Sequence, residues 1–137
     1  MAKRAILVIT HGEFGKELIK SAEMIMGPQE NLCALALKPS ASVDDLREEA
    51  SKIVVENEKK GLETVILVDL LGGSPSNVSL SLLSKFELHI LTGVNMPMLI
   101  ELLTLFQSEE DTTKLIETVR GTSVAGIYHL NRNFIKK

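Results

Sequence analysis

Four short apolar runs that do not alternate with polar residues constrain the fold of this 137-residue chain more than any other feature. Strands buried on both faces have this character, because neither face turns toward water. The runs are rich in Val, Ile and Leu and lie at Ala5–Ile9, Leu32–Leu37, Thr64–Val68 and Glu87–Leu91. Their composition predicts four strands of a parallel sheet that is covered on both faces.

Between these runs, apolar residues recur at the three- and four-residue spacing of an amphipathic helix. Phe14, Leu18 and Ala22 mark the first helix, and similar periodicities follow each of the next three runs. Ser42, with Asp45 three residues later, is typical of a helix start. Further helix starts are predicted at Ser74-Pro75, with Ser74 as the N-cap and Pro75 as the first helical residue, at Asn95 to Pro97 and near Asp111.

Strands that alternate with helices predict an α/β fold with right-handed crossovers. We expect three layers: a doubly wound, mostly parallel sheet of four strands in the order 2-1-3-4, with helices on both faces. Val124–Leu130 is predicted to be an additional, C-terminal strand. Sheets of this kind place their sites beyond the carboxyl ends of the strands, where the winding direction reverses.

Composition and length exclude several classes of protein. The chain is long enough for one core and is expected to form a single domain over residues 1–137. A formal net charge of −3 offers no broad basic surface, so nucleic acid is not an expected partner. No apolar run is long enough to cross a bilayer, and the single cysteine, Cys33, is expected in a strand core. We therefore expect a cytoplasmic protein that does not insert into the membrane.

A histidine follows the first apolar run directly, and a glycine follows the histidine. His11 and Gly12 stand where the strand ends, and Asp69 follows the third run. If the first and third strands are neighbours, Asp69 can accept a hydrogen bond from one ring nitrogen of His11. That bond would leave the other nitrogen with an outward lone pair, which makes the neutral imidazole a nucleophile.

A glycine pair after Asp69 leads into the third predicted helix. Gly72, Gly73 and Ser74 can direct backbone N–H groups, the positive end of the helix and a hydroxyl toward an anion. No lysine or arginine is expected beside these turns. A phosphoryl group would then be cradled without a fixed point charge, which suits a group that must leave again.

Plainer interpretations remain for each of these residues. His11 is otherwise a structural or exposed histidine, Asp69 a cap for a turn, and Gly72-Gly73 a packing turn without a ligand. His89 and His129 are interpreted as strand residues without chemistry. No His, Cys and carboxylate spacing forms a metal set, so neither a metal nor a cofactor is expected.

Three separated segments resemble the enzyme IIA component (EIIA) of the mannose family of the bacterial phosphotransferase system (PTS). They follow the first, third and fourth predicted strands and read Thr10-His11-Gly12, Val68-Asp69-Leu70-Leu71-Gly72-Gly73-Ser74-Pro75-Ser76-Asn77 and Thr92-Gly93-Val94-Asn95-Met96-Pro97-Met98-Leu99. The resemblance covers essentially the whole chain. It implies a phosphotransferase component with a phosphohistidine intermediate.

The resemblance also implies roles and partners. His11 would accept a phosphoryl group at Nε2 from the phosphocarrier protein HPr and pass it to a histidine of a IIB component. Asp69 would hold Nδ1, and the phosphoryl oxygens would be bound by Ser74 and by backbone groups at Gly12, Gly72 and Gly73. Family members form homodimers by exchanging a late antiparallel strand, for which Val124–Leu130 is the candidate.

Two departures from the family pattern bear on the choice of partner. Leu71 stands where a larger aromatic residue is common, and Ser76 stands where phenylalanine is common. The sequence does not name the transported sugar, which membrane components of the system recognise.

Two rival functions stay open. A receiver-like signalling domain shares the architecture and would be phosphorylated on Asp69, but it needs an acidic pair after the first strand, where this chain has Thr10-His11-Gly12. A binding module would use the same crevice without turnover, as a regulator whose partners depend on phosphorylation.

Overall fold

A four-stranded parallel sheet forms the centre of the computed structural model, which describes residues 3–136. The strands are β1 (Arg4–His11), β2 (Leu32–Leu37), β3 (Glu63–Val68) and β4 (His89–Leu91). Their order is β2-β1-β3-β4, which confirms the predicted order. β4 is shorter than predicted, because only His89, Ile90 and Leu91 pair with β3.

Six helices surround the sheet in the described part of the chain. They are α1 (Phe14–Met26), α2 (Val43–Lys59), α3 (Ser74–Leu82), α4 (Met96–Leu105), α5 (Thr112–Ala125) and α6 (Arg132–Ile135). Three helix starts have side-chain caps: the side chains of Ser42, Asn95 and Asp111 accept from the backbone N–H groups of Asp45, Met98 and Lys114. The four-residue α6 was not predicted.

Two apolar clusters cover the two faces of the sheet. Ile6 and Val8 of β1 pack in a cluster that includes Leu99 of α4 and Leu115 of α5. The alternate residues of β1 lie in the second cluster, whose helical members come from α2 and α3, among them Leu46, Val54, Val78 and Leu82. Successive side chains of a strand point to opposite faces, so β1 and β3 supply both cores and form the middle layer of three.

The prediction of a C-terminal strand at Val124–Leu130 is wrong for the described residues. Val124 and Ala125 complete α5, Gly126 ends that helix, and the residues up to Asn131 have no regular structure. The helix persists because its buried stripe continues to Ser123, whose hydroxyl donates to the carbonyl of Val119. The side chains of Ile127, Tyr128 and Leu130 are exposed. His129 lies in this irregular segment and is therefore not the strand residue that was predicted.

Cys33 also differs from expectation. It lies in β2, as predicted, but it is exposed rather than part of the core. The reason is topological: β2 is an edge strand that pairs only with β1, so its side chains are covered less completely than those of β1 and β3. Within residues 3–136, no helix combines the length and the apolar character that crossing a membrane requires.

Candidate active site

His11 is the last residue of β1 and stands at the carboxyl edge of the sheet. Alternation along the strand directs its side chain to the face that α2 and α3 cover, where Leu7 and Ile9 are buried. Gly12 then turns the chain with a φ of +57°, and its N–H donates to the carbonyl of Leu37 at 2.7 Å. Because the chain reverses immediately, the His11 side chain keeps 51% of its surface exposed.

Asp69 follows β3 and meets His11 twice. Its Oδ2 accepts a hydrogen bond from the backbone N–H of His11 at 2.9 Å and lies 2.8 Å from the ring Nδ1. Its Oδ1 accepts from the N–H of Leu70 at 3.0 Å, so both oxygens have defined partners. A carboxylate at this distance favours the tautomer with the proton on Nδ1, which leaves the lone pair on Nε2.

The surroundings of Asp69 lower the pKa of its carboxyl group from the ordinary value. Partial burial is the largest single influence and acts in the opposite direction, because it disfavours the charged form. The hydrogen bonds from the backbone and ring of His11, the charge interaction with that ring, and the N–H of Leu70 together outweigh it. Asp69 therefore faces His11 as a carboxylate.

The turn after Asp69 brings a helix N-terminus against the imidazole. Gly72 has a φ of +98°, which favours glycine, and Gly73 precedes α3 in an extended conformation. Ser74 is the first helical residue rather than the predicted N-cap, since Gly73 occupies that position. The N–H groups of the first helical turn have no acceptor within the helix, so this end can bind an anion.

Thr10 stabilises the turn after β1 through its hydroxyl, a role that was not predicted from the sequence. It is fully buried, and its Oγ1 accepts from the N–H of Gly15 at 2.8 Å and donates to the carbonyl of Gly12 at 3.4 Å. The hydroxyl thus joins the end of β1 to the first turn of α1. The available signal was a threonine at the end of the first apolar run, directly before His11-Gly12.

A cation lies elsewhere on this edge of the sheet, after β2. Lys38 follows β2, whose last residue Leu37 is the register partner of His11, and its Nζ lies 3.5 Å from Glu13 Oε1. Both side chains are half exposed or more, so this ion pair contributes little to stability. The signal was its position, because carboxyl ends of neighbouring parallel strands share one edge.

Three large apolar side chains are exposed on the connections that carry the site. Phe14 follows the turn after His11, while Leu70 and Leu71 follow Asp69. Leu71, one of the two departures from the family pattern, is 70% exposed and is free to contact a partner. Ser76, the other departure, is 1% exposed and has no hydrogen-bond partner for its hydroxyl among residues 3–136, so it is inaccessible to a partner.

The third segment supports the end of β3. After β4, Gly93 turns with a φ of +71°, and the N–H of Val94 donates to the carbonyl of Val68 at 3.0 Å. Asn95 caps α4 and donates from its side-chain amide to the carbonyl of Ser123. Within residues 3–136, no three His, Cys, Asp or Glu side chains are grouped to hold a metal ion.

Fold and site together define a doubly wound α/β protein that presents a solvent-facing histidine held by a carboxylate on the adjoining strand. The family model EIIA-man, described as "PTS system fructose IIA component", matches residues 5–120. This chain therefore belongs to the mannose-family EIIA components of the bacterial phosphotransferase system. That membership favours a phosphotransferase component over the receiver-like alternative.

Relatives agree with this assignment. The "PTS system mannose-specific EIIAB component" of Escherichia coli is 31% identical over 135 residues, which are 97% of this chain and 41% of the relative. The "PTS system fructose-specific EIIA component" of Bacillus subtilis is 29% identical over 102 residues, 74% of this chain and 69% of that one. The chain thus spans less than half the length of the mannose-specific relative.

A solved structure extends the agreement to three dimensions. The crystal structure of the phosphotransferase system component EIIA from Streptococcus agalactiae superposes with a TM-score of 0.84 at 30% sequence identity. The match covers 94% of this chain and 97% of that chain.

Proposed function

We propose that His11 accepts a phosphoryl group from phosphorylated HPr and transfers it to a IIB component, for uptake and phosphorylation of a sugar. The lone pair of Nε2 attacks phosphorus, and the Nε2–P bond forms as the P–N bond of the donor breaks. The donor nitrogen keeps the electron pair. A histidine of IIB then attacks the same phosphorus, and the Nε2 lone pair returns to His11.

One observation carries this proposal: the imidazole is tied through Nδ1 to Asp69 at 2.8 Å while half of its surface is open. The bond keeps the proton on Nδ1, and the carboxylate offsets the positive charge that the ring gains as Nε2 bonds to phosphorus. The hydroxyl of Ser74 and backbone groups at Gly12, Gly72 and Gly73 bind the phosphoryl oxygens.

Protein partners, rather than a small molecule, suit the surface around His11. Phe14, Leu70 and Leu71 offer apolar area on either side of the imidazole, and such area outside the core is typical of protein contacts. We propose that HPr and IIB bind in turn to this apolar surface around His11. The proposed setting is one EIIA domain, residues 1–137, in the cytoplasm.

We also propose that the chain forms a homodimer through its C-terminal segment, residues 126–131. Ile127, Tyr128 and Leu130 expose apolar side chains there. A groove of about 420 Å³ lies alongside, lined by β4, the connection after it, and α5. A second copy would cover this surface, and light scattering after size-exclusion chromatography tests it: a monomer at micromolar concentration would contradict the dimer.

Reconstitution tests the carrier function directly. The protein is incubated with phosphoenolpyruvate, the general phosphotransferase enzyme and HPr, and intact mass is measured. We expect a gain of one phosphoryl group that survives alkali and is lost in acid, as phosphohistidine is. The gain is absent in His11→Ala and retained in the control His129→Ala, whose histidine is also exposed.

A regulatory binding module is the second candidate, and the same experiment separates it. Without any mass gain in the intact protein, the carrier function is wrong, and binding without turnover takes its place. A phosphoryl group lost in alkali would identify Asp69 as the acceptor instead of His11.

A further inference from the structure

Gly73 lies closer to the His11 imidazole than any residue with a side chain could. A Cβ built on Gly73 would lie 2.7 Å from Cε1 of His11, which is too close for van der Waals contact. It would lie 3.3 Å from Nε2, which is closer than an ordinary contact. The next nearest atom, Cδ2 of Leu70, is at an ordinary 3.7 Å. The imidazole is thus the only neighbour that such a Cβ would crowd.

The backbone of Gly73 does not itself require glycine. Its φ of −88° and ψ of 174° are extended values that any residue adopts. Gly72 is different, because its φ of +98° favours glycine and nothing lies within 4 Å of its Cβ position. The two adjacent glycines therefore have separate roles: Gly72 forms the turn, and Gly73 leaves space.

That space lies along the Cε1–Nε2 edge of the ring. Asp69 approaches Nδ1, and Gly73 faces Cε1 and Nε2, so the imidazole is confined between a carboxylate and a backbone segment. Gly73 is also the N-cap of α3, and its carbonyl accepts from the N–H of Asn77 at 2.9 Å. The ring edge that bears Nε2 is therefore held next to the N-terminus of α3.

We propose that Gly73 is a positioning residue for phosphoryl transfer, and that its missing side chain allows Nε2 to lie against the α3 N-terminus while Nδ1 stays bonded to Asp69. The proposal rests on the proposed function of His11. A methyl group at position 73 would force the ring to swing toward solvent, which the 51% exposed side chain can do without moving the backbone. Either the Nδ1 contact or the direction of Nε2 is then lost.

The test is Gly73→Ala, measured by nitrogen NMR of the histidine rings and by phosphorylation rate with HPr. In the wild type we expect the His11 ring to hold its proton on Nδ1 when neutral. In the variant we expect mixed tautomers and a rate at least about 100-fold lower, the scale associated with a misplacement of about 1 Å. These ring signals report orientation and are independent of turnover.

Gly121→Ala is the control. It adds the same methyl group to α5, and nothing lies within 4 Å of the Cβ position there. We expect this variant to keep the wild-type signals of His11. If it changes them as Gly73→Ala does, the effect is not specific to position 73 and the proposal is wrong.

Stability measurements keep the proposal falsifiable if Gly73→Ala is too unstable for NMR. Alanine is a poorer N-cap than glycine, so Gly73→Ala is expected to lower the urea midpoint in either background. The crowded ring adds a further loss only where it is present, so the drop should be larger in the protein with His11 than in the His11→Ala background. Equal drops would mean that the methyl group does not crowd the ring, which overturns the proposal. Gly73→Ala with wild-type ring signals also overturns it, whatever its rate.

Failure of the proposed function is distinguishable from failure of this inference. If wild-type protein takes no phosphoryl group but Gly73→Ala alone alters the His11 tautomer, Gly73 positions the ring and the carrier function is wrong. If wild-type protein is phosphorylated and Gly73→Ala reacts at the same rate, the positioning role is wrong and the carrier function stands.

Discussion

The two central strands carry a polar cluster at each end, and the two clusters differ in how completely they are bonded. At the amino end, the Arg4 guanidinium is 2% exposed and donates from Nε to Thr112 Oγ1, from Nη1 to the carbonyl of Phe106 and from Nη2 to that of Glu110. Thr112 links Arg4 to β3, because its hydroxyl accepts from Arg4 and donates to Glu63 Oε1 at 2.9 Å. Each of the three guanidinium nitrogens has an acceptor.

At the carboxyl end of the same strands, His11 is half exposed and one of its nitrogens is committed to Asp69. The two side chains differ in hydrogen bonding: all three nitrogens of the Arg4 guanidinium are bonded, whereas His11 is bonded to Asp69 through one ring nitrogen. Arg4 joins β1 to the connection between α4 and α5, and nothing further can bond to it without cost. His11 is oriented through Nδ1 by Asp69, and Nε2 is the nitrogen that we propose to react.

The largest effect is expected at the amino end. Arg4→Met leaves the buried acceptors at Phe106 and Thr112 without their donor, which should lower the free energy of unfolding by about 3 kcal/mol. Urea denaturation measures this change. We expect the phosphorylation rate of the folded variant to stay within about twofold of wild type, since the anchor only stabilises the fold.

Lys20→Met is the control for that variant, because Lys20 makes an exposed ion pair with Glu17 at 3.1 Å. It should change the unfolding free energy by less than about 0.5 kcal/mol. Equal losses in the two variants would contradict the assignment of Arg4 as a buried anchor.

Asp69→Asn should slow phosphorylation of His11 by roughly 10- to 100-fold, the equivalent of about 1.5–3 kcal/mol for a hydrogen bond to a charged group. The nucleophile remains, but its tautomer and orientation are no longer enforced. Initial rates with HPr measure the effect, with Asp44→Asn as a control for removing an exposed carboxylate. A loss as complete as in His11→Ala would give Asp69 a second role.

Ser74→Ala should slow transfer less, by about tenfold, because it removes one hydroxyl and leaves the backbone N–H groups of α3 in place. Ser84→Ala, at an exposed serine beyond the end of α3, serves as the control. An unchanged rate in Ser74→Ala would remove this hydroxyl from the site.

The smallest effect is a pH dependence of stability. The folded state lowers the pKa of Asp69 below its value in the unfolded chain, where it is about 3.9. Its stabilisation is therefore complete above that unfolded value and is lost as pH falls through the lower, folded value. Urea midpoints measured across this acidic range should fall more steeply for wild type than for Asp69→Asn, and parallel curves would contradict the prediction.

Most of the sheet was predictable because buried parallel strands have a distinctive composition. β2 begins and ends where predicted, while β1 extends from Arg4 to His11, beyond its apolar run. These additions are the polar residues Arg4, Thr10 and His11, of which the first two are buried. An apolar run marks only the apolar part of a strand, so it misses polar residues that continue the backbone pairing.

The C-terminal prediction failed because the same residue types serve two structures. Val, Ile and Tyr at residues 124–130 have high strand propensity, yet a strand also needs a neighbour to pair with. Within the described residues of one chain, α5 instead continues through the buried Ser123 and the apolar side chains that follow remain exposed. Propensity contains no information about available edges.

By itself, the sequence determined the buried parallel strands and placed His11 and Asp69 at their carboxyl ends, because buried runs and turn residues are local signals and strand ends converge at one edge of such a sheet. The pairing of β1 with β3 then brought the two side chains into contact. Tertiary structure alone decided that Gly73 borders the ring, that Lys38 pairs with Glu13, and that Ser76 is inaccessible. These are distances between segments far apart in the chain. They depend on how tightly two backbones approach, which no run of residue types encodes.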